Sequence, residues 1–119
     1  MYSTELLNHF QNPRNAGELA SPTATAQVEN PACGDVMQLS IVVARDSGKI
    51  SKARFRAKGC VAAIACGSLL TELLEGAPLD QARKLRREEL IARLGGLPAE
   101  SMHASHLAMD ALSAVLAKL

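Results

Sequence analysis

Val36-Met37-Gln38-Leu39-Ser40-Ile41-Val42-Val43, then Asp46-Ser47-Gly48-Lys49, then Lys52-Ala53-Arg54-Phe55-Arg56-Ala57, is the stretch that decides the fold. Met37, Leu39, Ile41 and Val43 alternate with Gln38 and Ser40, the two-residue period of a strand with one face buried. Asp46 to Lys49 supplies hairpin-turn chemistry. On the return strand Ala53, Phe55 and Ala57 alternate with Lys52, Arg54 and Arg56. One face of the hairpin is therefore apolar and the other carries a basic stripe, as expected of an antiparallel sheet packed on one side and wet on the other.

Upstream, Val28-Glu29-Asn30-Pro31 closes a strand beginning near Thr23, because Pro31 forces an extended residue before it. Ser3 to Phe10 reads as a short helix stopped before Pro13. Downstream, Gly59-Cys60 ends the hairpin and a helical period takes over. Ala62, Ala65, Leu69 and Leu73, with Leu70 and Leu74 flanking, mark the buried side of a helix ending at Gly76. Pro78 to Lys84 and Arg87 to Leu94 are shorter helical segments, the second stopped by Gly95-Gly96. Ala104, Leu107, Ala108, Ala111, Leu112, Val115, Leu116 and Leu119 then follow the spacing of a last amphipathic helix. A sheet first and the main helices after it is an α+β order: a small antiparallel β-sheet with helices packed on one face.

The 119 residues fit one domain, 1–119, and 48% apolar content is enough for a core without staples. Thirteen basic against twelve acidic side chains lack the basic excess expected of a protein that works on nucleic acid. No apolar run reaches the roughly 18 to 20 residues that span a bilayer. The first residues lack the basic region and apolar stretch of a secretory signal, so a cytoplasmic setting is the expectation. No Ser/His/Asp order, phosphate loop or paired catalytic carboxylates point to a hydrolase or kinase, and a non-enzymatic role is expected.

Three cysteines, Cys33, Cys60 and Cys66, cannot all pair within one chain, and in a reducing compartment none need do so. Cys33 lies in Pro-Ala-Cys-Gly-Asp, where Pro31 restrains the approach and Gly34 frees the exit, so a thiolate and the Asp35 carboxylate share one loop end. A turn that merely contains a cysteine fits this segment equally well. Cys60 lies at a strand-to-helix junction, whose free N–H groups favour a thiolate. Cys66 is six residues further on, a poor same-face spacing, and reads as a packed core cysteine. His103 and His106 are three apart near the start of the last helix, so both can reach one region.

Taken in order, these pieces resemble the family of IscU/NifU N-terminal-type iron–sulfur cluster assembly scaffolds over nearly the whole chain. Tyr2-Ser3 with His9-Phe10-Gln11-Asn12-Pro13-Arg14-Asn15-Ala16-Gly17 resembles its opening signature. Asn30 to Asp35 is similar to its first ligand loop, and Ala53-Arg54-Phe55 with Gly59-Cys60, Ala63-Ile64-Ala65 and Ser68 to its second. His103, Ser105, Leu107-Ala108 and Asp110-Ala111 match the start of its last helix. The resemblance implies ligands gathered at one end of the sheet, with Cys33, Asp35, Cys60 and His103 carried over as ligand-site residues. It also implies transient assembly of a [2Fe–2S] cluster, with sulfur from a pyridoxal-phosphate cysteine desulfurase and recipient apoproteins taking the product.

Two positions depart from that pattern. The family's third cysteine, between the histidine and serine of the last motif, is Ala104 here, which offers neither a ligand nor a persulfide acceptor. Cys66, His106 or a partner's group are the candidates to replace it. Leu97-Pro98-Ala99-Glu100-Ser101 stands in place of the Leu-Pro-Pro-Val-Lys used by members that dock a dedicated Hsp70-type chaperone, so that partner is not expected. Two other functions stay open. The same four donors suit mononuclear zinc, and the Lys52-Arg54-Arg56 stripe would suit a non-catalytic partner of the sulfur-transfer machinery, against the simpler reading of a solvated sheet face. The sequence leaves the oligomeric state open.

Overall fold

A computed structural model describes residues 1–119. The order is helix α1 (Thr4–Gln11), strands β1 (Ala24–Glu29), β2 (Val36–Val43) and β3 (Ile50–Lys58), then helices α2 (Val61–Leu74), α3 (Leu79–Lys84), α4 (Arg87–Arg93) and α5 (Met102–Leu116). A 3-10 turn at Ala99–Ser101 leads into α5. The strands form an antiparallel sheet in the order β1-β2-β3. α2 and α5 pack on one face of this sheet, and α1 lies against α2. The expected α+β architecture is the observed one.

The two-residue period places the side chains as anticipated. Met37, Leu39, Ile41, Ala53 and Phe55 are buried on the helix side, with Ala24 and Ala26 of β1 beside them. Val43 is only half-buried, next to a register shift between Val42 and Val43. Ser40, on the polar side of the alternation, is nonetheless 5% exposed and shares a 2.9 Å hydrogen bond with Thr25 Oγ1.

Two helices depart from the simple amphipathic picture. α2 is buried around most of its circumference, including Ser68 and Thr71, because α1 and the segment after it cover the side turned away from the sheet. Leu73 sits at its rim, half-buried. α5 starts at Met102 and ends at Leu116, so Leu119 lies beyond it and is 46% exposed.

The His9 to Gly17 segment acts as a clip. His9 Nδ1 meets Ser68 Oγ at 2.7 Å, the Arg14 N–H donates to the same oxygen, and Thr71 Oγ1 donates to the Arg14 carbonyl. Burial, then the Arg14 charge, pull the His9 pKa down, so the ring is held neutral inside this cluster. Asn15 and Gly17 then bond the backbone of Phe55, covering the edge of β3 with a short parallel bridge at Ala16.

The α2–sheet contact depends on Gly67, fully within the helix. A Cβ there would run into the Phe55 ring. Gly67→Ala should therefore destabilise the fold by about 1–3 kcal/mol from overpacking, although alanine is about 1 kcal/mol the better helix former. Denaturant midpoints of the two proteins decide the sign, and a more stable alanine variant would show that the ring moves aside without strain.

Candidate metal centre

The strand register puts Glu29 beside Val36 and Val36 beside Lys58. The loop from β1 to β2 and the junction from β3 to α2 therefore lie at the same end of the sheet. Asn30 ties the first of these together. Its N–H donates to the Asp35 carbonyl, its carbonyl accepts from Gly34, and its side chain accepts from the Ala32 N–H. This leaves Cys33 exposed at the tip and Asp35, 6% exposed, at its base.

Cys60 is the N-cap of α2. Its sulfur accepts the Ala63 N–H at 3.4 Å, one of the donors a helix start leaves without an intrahelical partner. His103 is in the first turn of α5. That start is braced by Ser105 Oγ, which donates to the Met102 carbonyl at 2.7 Å and accepts from Arg87.

These four side chains converge. Donor atoms of Cys33, Asp35 and His103 all lie within 4.8 Å of one another. Cys60 Sγ stands outside that mutually close trio but is 3.7 Å from His103 Nε2. His103 Nε2 is also 3.4 Å from Asp35 Oδ2, but the two are not aligned for a hydrogen bond, and Oδ2 is buried without a partner. An orphaned carboxylate oxygen is costly in a fold, and here it faces thiols and an imidazole, a set that suits a thiophilic metal.

The electrostatics differ from the simple expectation for a helix N-terminus. Burial pushes the Cys60 thiol above its usual range and the neighbouring Asp35 carboxylate adds to this, against the Ala63 and Ala62 N–H groups, which favour the thiolate. Without metal, Cys60 is thus held as the protonated thiol, and a cation reverses the balance by supplying the missing positive charge. Asp35→Asn removes the opposing charge. The pH profile of Cys60 alkylation, measured on a Cys33→Ser background, should then move to lower pH. An unmoved profile would leave burial as the whole cause.

Cys66 is buried in the hydrophobic core, and burial pushes its thiol up to about 12. It packs as the helical spacing indicated and does not reach the cluster. His106 is exposed and is not among the gathered donors. Ala104 is itself fully buried in the core. The basic stripe is largely neutralised within the chain, since Arg54 pairs with Glu75 at 3.2 Å and Arg56 with Glu18.

One residue of the site was not singled out from the sequence. Gly59 has φ +152°, and a Cβ on it would collide with the Asp35 carboxyl group. Its place directly before the N-cap cysteine was the available signal, because such a junction must turn sharply while another chain segment passes close.

The family model for the NifU-like N terminal domain matches residues 1–119. Iron-sulfur cluster assembly scaffold protein IscU 1 of Archaeoglobus fulgidus is 43% identical over 112 residues, covering 94% of this chain and 72% of that protein. Its Escherichia coli counterpart is 41% identical over 119 residues, covering 98% and 91%. Among solved structures, the N-terminal NifU-like protein of Brucella abortus superposes with a TM-score of 0.77 at 19% identity, covering 98% of this chain and 92% of that one, a likeness of fold.

Proposed function

This chain belongs to the NifU-like N-terminal domain family, and from that membership we propose that it is a scaffold on which an iron–sulfur cluster is built and from which it is passed on. The carrying observation is the convergence of Cys33, Asp35, Cys60 and His103 at one end of the sheet, around a buried carboxylate oxygen that accepts no hydrogen bond. The cluster is cargo. Two thiolates give affinity for iron and sulfide, while the carboxylate and imidazole bind less tightly than thiolates would and ease release. Cys33, on an exposed loop, is the thiol a partner reaches first.

On this reading a cysteine desulfurase supplies sulfur, a transient [2Fe–2S] species forms, and apoproteins accept it. The protein is a platform and not a catalyst. Three free thiols suit a reducing, cytoplasmic setting, and no helix is long and apolar enough to cross a membrane. On the family resemblance Ala104 takes the place of the third cysteine, and its side chain is fully buried.

Anaerobic incubation with ferric iron and sulfide tests the proposal. Visible charge-transfer absorption is expected, and a protein that stays colourless would overturn it. Because four donors already converge without position 104, Ala104→Cys should change the yield of this inorganic reconstitution by less than about twofold. A several-fold gain would show that the four donors are not a sufficient set. The second reading, a single zinc ion, draws on the same geometry. Tetrahedral zinc needs donors about 3.5 Å apart, close to the 3.4 and 3.7 Å separations around His103. One zinc per chain, retained against iron and sulfide, would favour it.

A further inference from the structure

α3 buries only Ala82, and a hollow of about 390 Å³ opens between it, the last turn of α2 and α4. The floor of the hollow is apolar. Leu74 and Ala82 are 1% and 3% exposed, with Leu73 and Leu85 half-buried at its sides. The rim is charged, formed by Lys84 of α3 and by Glu89 and Arg93 of α4, all exposed.

The segment that builds this rim holds the densest run of basic residues in the chain, Arg83-Lys84-Leu85-Arg86-Arg87. Arg86 and Arg87 both turn to Glu88, at 3.8 and 3.9 Å. Arg83, Lys84 and Arg93 have no ion-pair partner within the chain, and Glu89 is the one acid on the rim. The basic stripe of β3 differs, because Arg54 and Arg56 there are already paired.

We infer that this hollow docks an acidic segment of a partner protein. An apolar side chain of the segment enters between Leu73 and Leu85, and carboxylates flanking it meet Lys84 and Arg93. Apolar burial supplies the affinity, and charge complementarity selects acidic over basic segments. The concave shape favours a peptide over an anionic membrane, since a lipid surface lying on the rim leaves the Leu74 and Ala82 floor unfilled. Cys60 caps the opposite end of α2, about 21 Å away along the helix at 1.5 Å per residue. A partner held in the hollow therefore leaves the metal centre open to donors and acceptors. The inference does not rest on the cluster, and the same surface stands on a zinc protein.

Amide NMR titration of the full, metal-free chain at low salt tests it, with acetyl-Glu-Glu-Leu-Glu-Glu-amide as the probe. Shifts should centre on Leu73, Ala82 and Arg93, with a Kd of about 1 mM or below. The peptide with glycine in place of its leucine should bind at least about fivefold more weakly. Lys84→Glu combined with Arg93→Glu should weaken binding at least about tenfold, as should about 0.5 M salt. Lys52→Glu, on the β3 stripe, should leave it unchanged. These positions are exposed, and circular dichroism verifies the fold of each variant. Absence of shifts up to about 10 mM peptide, shifts centred on the stripe or the metal centre, or equal binding of the two peptides would each overturn the inference. So would indifference to the double reversal. Anionic phosphatidylglycerol vesicles that bind through Lys84 and Arg93 while the peptide does not would assign the surface to lipid instead.

Discussion

Cys60→Ala is expected to lower cluster absorption per chain at least about tenfold after anaerobic reconstitution, through loss of a direct thiolate ligand. Cys60 has two roles in the structure. Its sulfur faces His103 at 3.7 Å, and it also caps α2 by accepting the Ala63 N–H. Loss of the cap alone would cost about 0.5–2 kcal/mol and would loosen the centre indirectly. Cys60→Ser separates the two effects, because a hydroxyl is an equally good or better cap and a much poorer iron ligand. Serine should therefore retain the thermal midpoint and still lose the colour. If it keeps the absorption, Cys60 acts through the helix and not through the metal. Cys66→Ala is the internal control, since a thiol buried in the core should leave cluster yield unchanged while costing some packing.

Gly59→Ala is expected to be the most damaging single methyl group in the chain. At φ +152° an L side chain is strained whatever space surrounds it, and here the added carbon also meets Asp35. The two costs together come to about 2–4 kcal/mol of stability. Either the junction before α2 shifts and carries Cys60 with it, or the Asp35 carboxylate is displaced. Both outcomes break the four-donor arrangement, so zinc affinity should fall about 10- to 100-fold. Denaturant unfolding and competitive zinc titration measure the two consequences separately. A variant that lost stability but bound zinc normally would show that the donors re-form independently of the junction. One that lost neither would refute the close approach itself.

Much of this was readable before any coordinates. The alternation from Met37 to Ala57 specified a half-buried hairpin, and a helix and strand bounded by Pro13 and Pro31 appeared where those prolines required. The candidate site residues Cys33, Asp35, Cys60 and His103 were named together only through the resemblance to the scaffold family, because donor type and local spacing do not say which side chains meet. Other features were not legible, for physical reasons. The near-complete burial of α2 depends on α1 and the His9–Gly17 clip covering its second face, a packing relation with no local period. Leu119 continued the apolar spacing of α5 yet lies past the helix end, because periodicity does not say where the last turn is released to solvent. The sign of the Cys60 shift also escaped. A helix N-terminus argues for the thiolate, and only the burial of Cys60 beside Asp35 shows that the thiol prevails.

The sequence by itself supplied the candidate donors and the elements that carry them: two thiols, a carboxylate and an imidazole, on a β1–β2 loop, a β3–α2 junction and the start of α5. The tertiary structure alone decided which of the remaining candidates join them. Cys66 is packed away, His106 faces solvent, Ala104 is sealed in the core, and two of the three basic residues on the stripe are spent on Glu75 and Glu18. The reason is one of range. Side-chain type and periodicity are local properties, whereas distance, burial and the pairing of charges arise only when segments remote in sequence, such as Asp35, Cys60 and His103, are brought to one end of a sheet by its register.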